Sequence, residues 1–267
     1  MKCMKQILLS LFLVFFACAA IGQQDTLKSV IVSPKLMNVK DAFFLSFLTD
    51  ELYWSLYMEY SDKKYSATKA DDIMSYVDSY LSVTPTINKK QGQIKEFGLI
   101  TKYRNDIDSI FKGMRLFGSD QIGEFLFNKE TSLPLRFVLY GDTALSFIVT
   151  GVSIDKVYNT IKLTGRQRAT KVLTTYILPS LKSFVKSFSS KEIRFFGMTC
   201  VYGSKDFTDD SPLSTKPEFV AFIAPAKLIR QYVANDITED ELINGADVFV
   251  SDRDMVSDMK KIKITLE

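Results

Sequence analysis

The chain has 267 residues, with 34 lysines and arginines against 31 acids and no histidine. The missing histidine excludes Ser-His-Asp and Cys-His catalysis, imidazole acid–base chemistry, the commonest transition-metal ligand and an ordinary pH switch near neutrality. The near balance of charge supplies no overall field toward a polyanion such as nucleic acid, and the length suffices for one large or two small domains with a sizeable core.

Lys2 and Lys5 precede an apolar run from Ile7 to Ile21 that is broken only by Ser10 and ends in Ala20-Ile21-Gly22. This is the pattern of a secretory signal cut between Gly22 and Gln23. The run is shorter than the roughly 20 residues a membrane-spanning helix needs. The competing reading makes Cys18 the lipid-acceptor cysteine of a lipoprotein. Phe15 and Phe16 stand where such signals carry Leu and a small residue, and only Ala17 fits. The expected location is therefore the periplasm or the exterior of a Gram-negative cell, with membrane attachment only if Cys18 is lipidated.

After the signal, residues 28–32 read as a short strand. Asn38 then opens a helix over 39–60 whose Phe44, Phe47, Leu48, Leu52, Leu56 and Tyr60 recur at spacings of three and four. Thr68 and Asp71 start a second helix carrying Ile73, Tyr76, Val77, Tyr80 and Leu81 up to Pro85, and a third spans Ile94 to Met114, weakened by Gly98. The pattern changes at Pro134. Leu135–Tyr140 and Thr143–Val149 form a hairpin around Gly141-Asp142. Leu173, Ile177, Leu181, Phe184 and Phe188 then mark one long helix over 165–188, kinked near Pro179.

Strands are expected at 193–202 and 218–223, joined by a polar loop from Gly203 to Pro217. Pro225 opens a helix to about Ala234. Thr238 and Glu241 form a capping box for a short helix that ends at Gly245, and Val248–Val250 and Ile262–Leu266 are the last strands. The class is α+β: a mainly helical first half, then an antiparallel sheet with one long helix packed across a face. The divisions are residues 1–22 as signal, 23–130 as a mainly helical region and 131–267 as an α+β region, or one domain over 23–267.

Cys3 and Cys18 lie in the signal, so Cys200 is the only cysteine of the mature chain and no intramolecular disulfide forms. Alternation over Phe196–Tyr202 places it on a core face with Phe196, Met198 and Tyr202.

The acidic groups Asp106-Asp108, Asp209-Asp210, Asp236–Glu241 and Asp252-Asp254 offer carboxylate pairs or oxygen ligands, but none has calcium-loop spacing and no metal or cofactor site is assigned. Ser-x-x-Lys occurs at Ser61, Ser109 and Ser183 without its companion motifs, and no nucleotide loop or nucleophile elbow is present. From Lys156 to Lys191 there are eight cations and no acid, whereas residues 206–258 hold twelve acids against four cations. Arg166, Arg168 and Lys171 stand in the first turns of the long helix, where the macrodipole disfavours them. Either the acidic C-terminal third packs alongside, or these three residues bind an anionic small molecule or an envelope polyanion. The leading functional expectation is a non-enzymatic binding or structural component of the cell envelope. The alternative is a histidine-free hydrolase using two carboxylates.

Overall fold

The computed structural model describes residues 66–67, 70–83, 91–114, 123–126, 133–140, 144–188, 192–211, 215–251 and 259–264. The signal with Cys18, Gly22 and Gln23, the 28–32 strand, the 39–60 helix and Asp252-Asp254 lie outside the described residues.

The strands are β1 (Ser66–Ala67), β2 (Gly123–Leu126), β3 (Leu135–Tyr140), β4 (Ala144–Asn159), β5 (Ile193–Lys205), β6 (Lys216–Pro225), β7 (Asp247–Ser251) and β8 (Met259–Ile262). They form one eight-stranded sheet in the order β1-β2-β4-β5-β6-β7-β8, with β3 also on β4. The helices are α1 (Ala70–Val83), α2 (Gln91–Lys102), α3 (Arg104–Gly113), a long α4 over residues 165–187, α5 (Ala226–Val233) and α6 (Glu239–Asn244). The α+β class and the long helix laid against the sheet agree with the sequence reading.

The sheet is mixed where an antiparallel one was expected: β4 and β5 run parallel, from Leu145 opposite Ile193 to Asn159 opposite Lys205. A parallel pair cannot be closed by a tight turn and needs a crossover, and α4 is that crossover. Strand β4 also runs ten residues past Val149, where the expected hairpin arm stopped. Thr150 and Gly151 form a bulge: Val149 opposes Met198 and Val152 opposes Cys200. Beyond it β4 pairs with β2 on one edge and β5 on the other. Pairing likewise extends β5 to Lys205 and starts β6 at Lys216, so the loop between them is shorter than expected. The last strand lies at Met259–Ile262, ahead of the expected 262–266, set by its register against β7.

Helix α4 opens on Thr164, whose hydroxyl accepts the Gln167 N–H while the Gln167 side chain accepts the Thr164 N–H. Its middle, Leu173–Ile177, widens into a π turn in which the Leu178 N–H reaches the Leu173 carbonyl. Pro179 follows directly. It has no N–H and its ring crowds the preceding turn, so the extra residue per turn relieves the clash and the helix continues through Ser187. The third expected helix, read as one over Ile94 to Met114, divides at Tyr103, and Gly98 lies inside α2. The Tyr103 ring stacks on Phe137 and meets Phe188 edge-on, and its hydroxyl donates to Glu192 at 2.5 Å, so tertiary contacts hold the bend. Helix α5 ends at Asn235, with φ 63°, and the Asp236 N–H reaches back to the Gln231 carbonyl. That left-handed closure suits asparagine.

One apolar cluster joins Ile73, Val77, Ile107 and Phe111 of the helical first half to Phe147, Phe184, Phe196 and Phe222, so the core crosses the compositional shift near residue 130. At its centre Phe147, Phe184, Phe188 and Phe196 lie with ring centroids 4.8–5.9 Å apart. Cys200 sits fully buried on the α4 side of β5, as the alternation predicts, and burial pushes its thiol well above the ordinary range. A bulky thiol reagent is expected to leave the native protein unmodified and to label it only in denaturant, as followed by mass spectrometry; rapid native labelling would contradict the strand placement.

Candidate functional site

Among the described residues a group of buried ionisable side chains lies under the first turns of α4. Tyr202 of β5 and Glu218 of β6 are direct cross-strand partners on the face that α4 covers. Arg168 reaches down from the helix and grips the Glu218 carboxylate with both arms, Nε to Oε2 at 2.8 Å and a terminal nitrogen to Oε1 at 2.5 Å. Its other terminal nitrogen donates to the Leu163 carbonyl. The Tyr202 hydroxyl also donates to Glu218, and burial together with that carboxylate drives its ionisation far above the ordinary range. Alongside, the Tyr158 ring meets Tyr202 edge-on at 5.5 Å, and its hydroxyl donates to Tyr176 of α4. Burial likewise raises Tyr158 and Tyr176.

The arrangement neutralises a buried charge and couples three elements. Arg168 is 4% exposed and Glu218 2% exposed, so water supplies none of their hydrogen bonds and each depends on the other. The fork geometry also fixes the rotation of α4 about its axis. The chemistry available here is positioning.

The expected anion site divides. Arg166 and Lys171 are exposed, whereas Arg168 is buried and committed to Glu218. At about 100° per residue, Arg166 and Arg168 point about 200° apart around the helix. The expectation of three converging cations is thus corrected at Arg168: the residue that offsets its charge comes from the acidic C-terminal third. The helix start is also less open than a bare glycine implies, because Thr164-x-x-Gln167 is a capping box. That motif is visible in the sequence as Thr164-Gly165-Arg166-Gln167.

Several of the described carboxylates serve local structure. Asp108 pairs with Lys112 at 2.9 Å, and Glu241 closes the Thr238 capping box, which holds its carboxyl below the usual range. Glu239 and Asp240 share that helix's first turn, while Asp209, Asp210 and Asp236 are exposed. Among the described residues no group of three potential ligands could hold a metal ion, and no helix is long and apolar enough to cross a membrane. The Ser-x-x-Lys matches turn apart. Ser109 donates to the Asn105 carbonyl while Lys112 goes to Asp108, and buried Ser183 donates to Ser180 with Lys186 exposed. Ser61 lies outside the described residues.

Sequence reasoning missed Glu218, and the signal was present. It shares a strand face with Val220, Phe222 and Ala224, in a strand buried throughout from Glu218 to Ala224, where a carboxylate requires a partner. Replacing one member strands the other. Arg168→Met or Glu218→Leu alone is expected to cost ~3–5 kcal/mol, and the double variant is expected to recover most of that loss, because an apolar pair of similar volume removes the buried charge. Urea unfolding measures this, and single variants as stable as wild type would show that the pair does not hold the helix. No family model, curated protein or solved structure matches the chain.

Proposed function

We propose that the chain is an exported cell-envelope protein, periplasmic or secreted from a Gram-negative cell, that acts as a binding or structural component. One observation carries this reading. Among the described residues the buried cluster of groups capable of chemistry, Arg168, Glu218, Tyr202, Tyr158, Tyr176 and Cys200, is 0–8% exposed and used inside the fold. A catalytic group must reach its substrate, and these groups tie a helix to a sheet. Export rests on the N-terminal pattern of Lys2, Lys5, the Ile7–Ile21 run and Ala20-Ile21-Gly22.

The binding surface in this reading is the outer ridge of α4. Lys171, Lys182 and Lys186 are exposed, and Thr175 and Pro179 lie between them at helical spacing. Fifteen residues of helix extend them over about 22 Å. No acid interrupts the segment from Lys156 to Lys191, so the ridge suits an anionic small molecule or an extended envelope polyanion. Arg166 stands at the start of the same helix.

Processing is tested by mass spectrometry of the exported protein, which is expected to begin at Gln23. A diacylglyceryl adduct on an N-terminal Cys18 would instead make it a membrane-anchored lipoprotein. Ligand binding is tested by thermal melting at low ionic strength with phosphate, sulfate, acidic sugars and a soluble anionic polysaccharide. Wild type is expected to gain about 2–4 °C from at least one of them, and a Lys171→Gln, Lys182→Gln, Lys186→Gln variant to gain none. Equal responses, or none in wild type, would remove the ridge as the binding surface.

A further inference from the structure

Among the described residues three large apolar side chains are strongly exposed: Ile161 at 62%, Phe207 at 54% and Val157 at 41%. All three lie at one end of the sheet. Val157 pairs with Gly203, and a Cβ on that glycine would meet Val157 Cγ2 at 3.0 Å and Thr215 Cγ2 at 3.2 Å, so Val157 and Thr215 together roof this point of β5. Asn159 and Lys205 are the last paired residues of β4 and β5, and the Thr160 N–H donates to the Lys205 carbonyl at 3.0 Å. Ile161 and Phe207 each follow two residues later. They are the tips of two adjacent turns.

Both turns are held in shape. Asn159 Oδ1 accepts the N–H of Ile161 at 2.8 Å and of Lys162 at 3.2 Å. Asp206 Oδ1 accepts the Thr208 N–H at 2.8 Å and its hydroxyl at 2.6 Å, and Asp209 Oδ1 accepts the Ser211 N–H at 2.9 Å. Side-chain closures of this kind fix a turn before anything docks on it, which lowers the ordering cost of an interface. The exposed apolar tips are therefore presented rather than loosely attached.

The turns also carry opposite charge. The Ile161 turn is bordered by exposed Lys156, Lys162 and Arg166, and the Phe207 turn by half-buried Asp206 and exposed Asp209 and Asp210. Asp155, Lys205 and Lys216 belong to the strands behind the tips. A two-fold contact brings the cationic turn of one molecule against the acidic turn of the other, twice, with the apolar tips between them. An anionic bilayer would attract one turn and repel the other. We infer that this end of the sheet is a self-association surface whose partner is a second copy of this chain.

Sedimentation velocity of the purified protein tests the inference. Wild type is expected to show a concentration-dependent monomer–dimer equilibrium that salt weakens. Phe207→Ser and Ile161→Ser are each expected to raise the dissociation constant at least about tenfold, with melting unchanged because both side chains are exposed. The decisive arm exchanges charge. Lys156→Glu with Lys162→Glu makes both turns acidic, and Asp209→Lys with Asp210→Lys makes the acidic turn basic. Each variant alone is expected to be monomeric, and an equimolar mixture to form a heterodimer. A wild type that stays monomeric at about 0.5 mM in low salt overturns the inference. So do charge variants that dimerise like wild type, and so does a monomer that pellets with anionic phospholipid vesicles through Ile161 and Phe207.

Discussion

Pairing β4 with β5 in the same direction obliges the chain to return along the length of the sheet before β5 can begin, and α4 is that return. Its two ends are held differently. At the start, Arg168 fixes the helix to β6 through Glu218; toward the end, Phe184 and Phe188 enter the aromatic cluster with Phe147 and Phe196. The π turn before Pro179 sits between these anchors. A helix held at both ends absorbs the wider turn without losing register, because each anchor is set by contacts that the other does not share.

The polar anchor carries a liability that the aromatic one does not. A buried guanidinium–carboxylate pair adds little stability over an apolar pair of the same volume, since desolvation offsets most of the attraction. What it supplies is geometry. The two-armed grip on Glu218, with the Tyr202 hydroxyl on the same carboxylate, permits one rotation of α4 over β5 and β6. A sheet face of Val, Phe and Ala alone would accept neighbouring rotations at small cost. The exposed lysines of α4 inherit their direction from this constraint, so the internal pair helps determine which residues face outward.

The charge segregation along the chain therefore resolves at two levels. One pair is spent internally: Arg168 of the cationic segment meets Glu218 of the acidic third across 50 positions of sequence. The remaining cations of α4 stay on the surface, and Asp206 and Asp209 of the β5–β6 loop are engaged in shaping their own turn. A segment that reads as one uniform basic stretch becomes two surfaces and one buried contact once it is wound into a helix.

Features set by neighbours in sequence were legible in advance. The period of α4, an irregularity near Pro179, the Thr238 capping box, Pro225 opening α5 and the burial of Cys200 follow from side-chain spacing and from backbone limits that act within a few residues. Strand, long helix, strand also contained the parallel crossover, which an antiparallel reading set aside. Strand lengths were a different matter. The expected arm ended at Val149, before Thr150-Gly151, whereas pairing with β5 carries β4 out to Asn159 and β2 flanks Val152–Ile154 on the other edge. The partner of Arg168 belongs to the same kind of information. Periodicity in the chain specifies which face a residue occupies, but which distant residue meets it there depends on the order and direction of strands, and that is decided by the packing of the whole sheet.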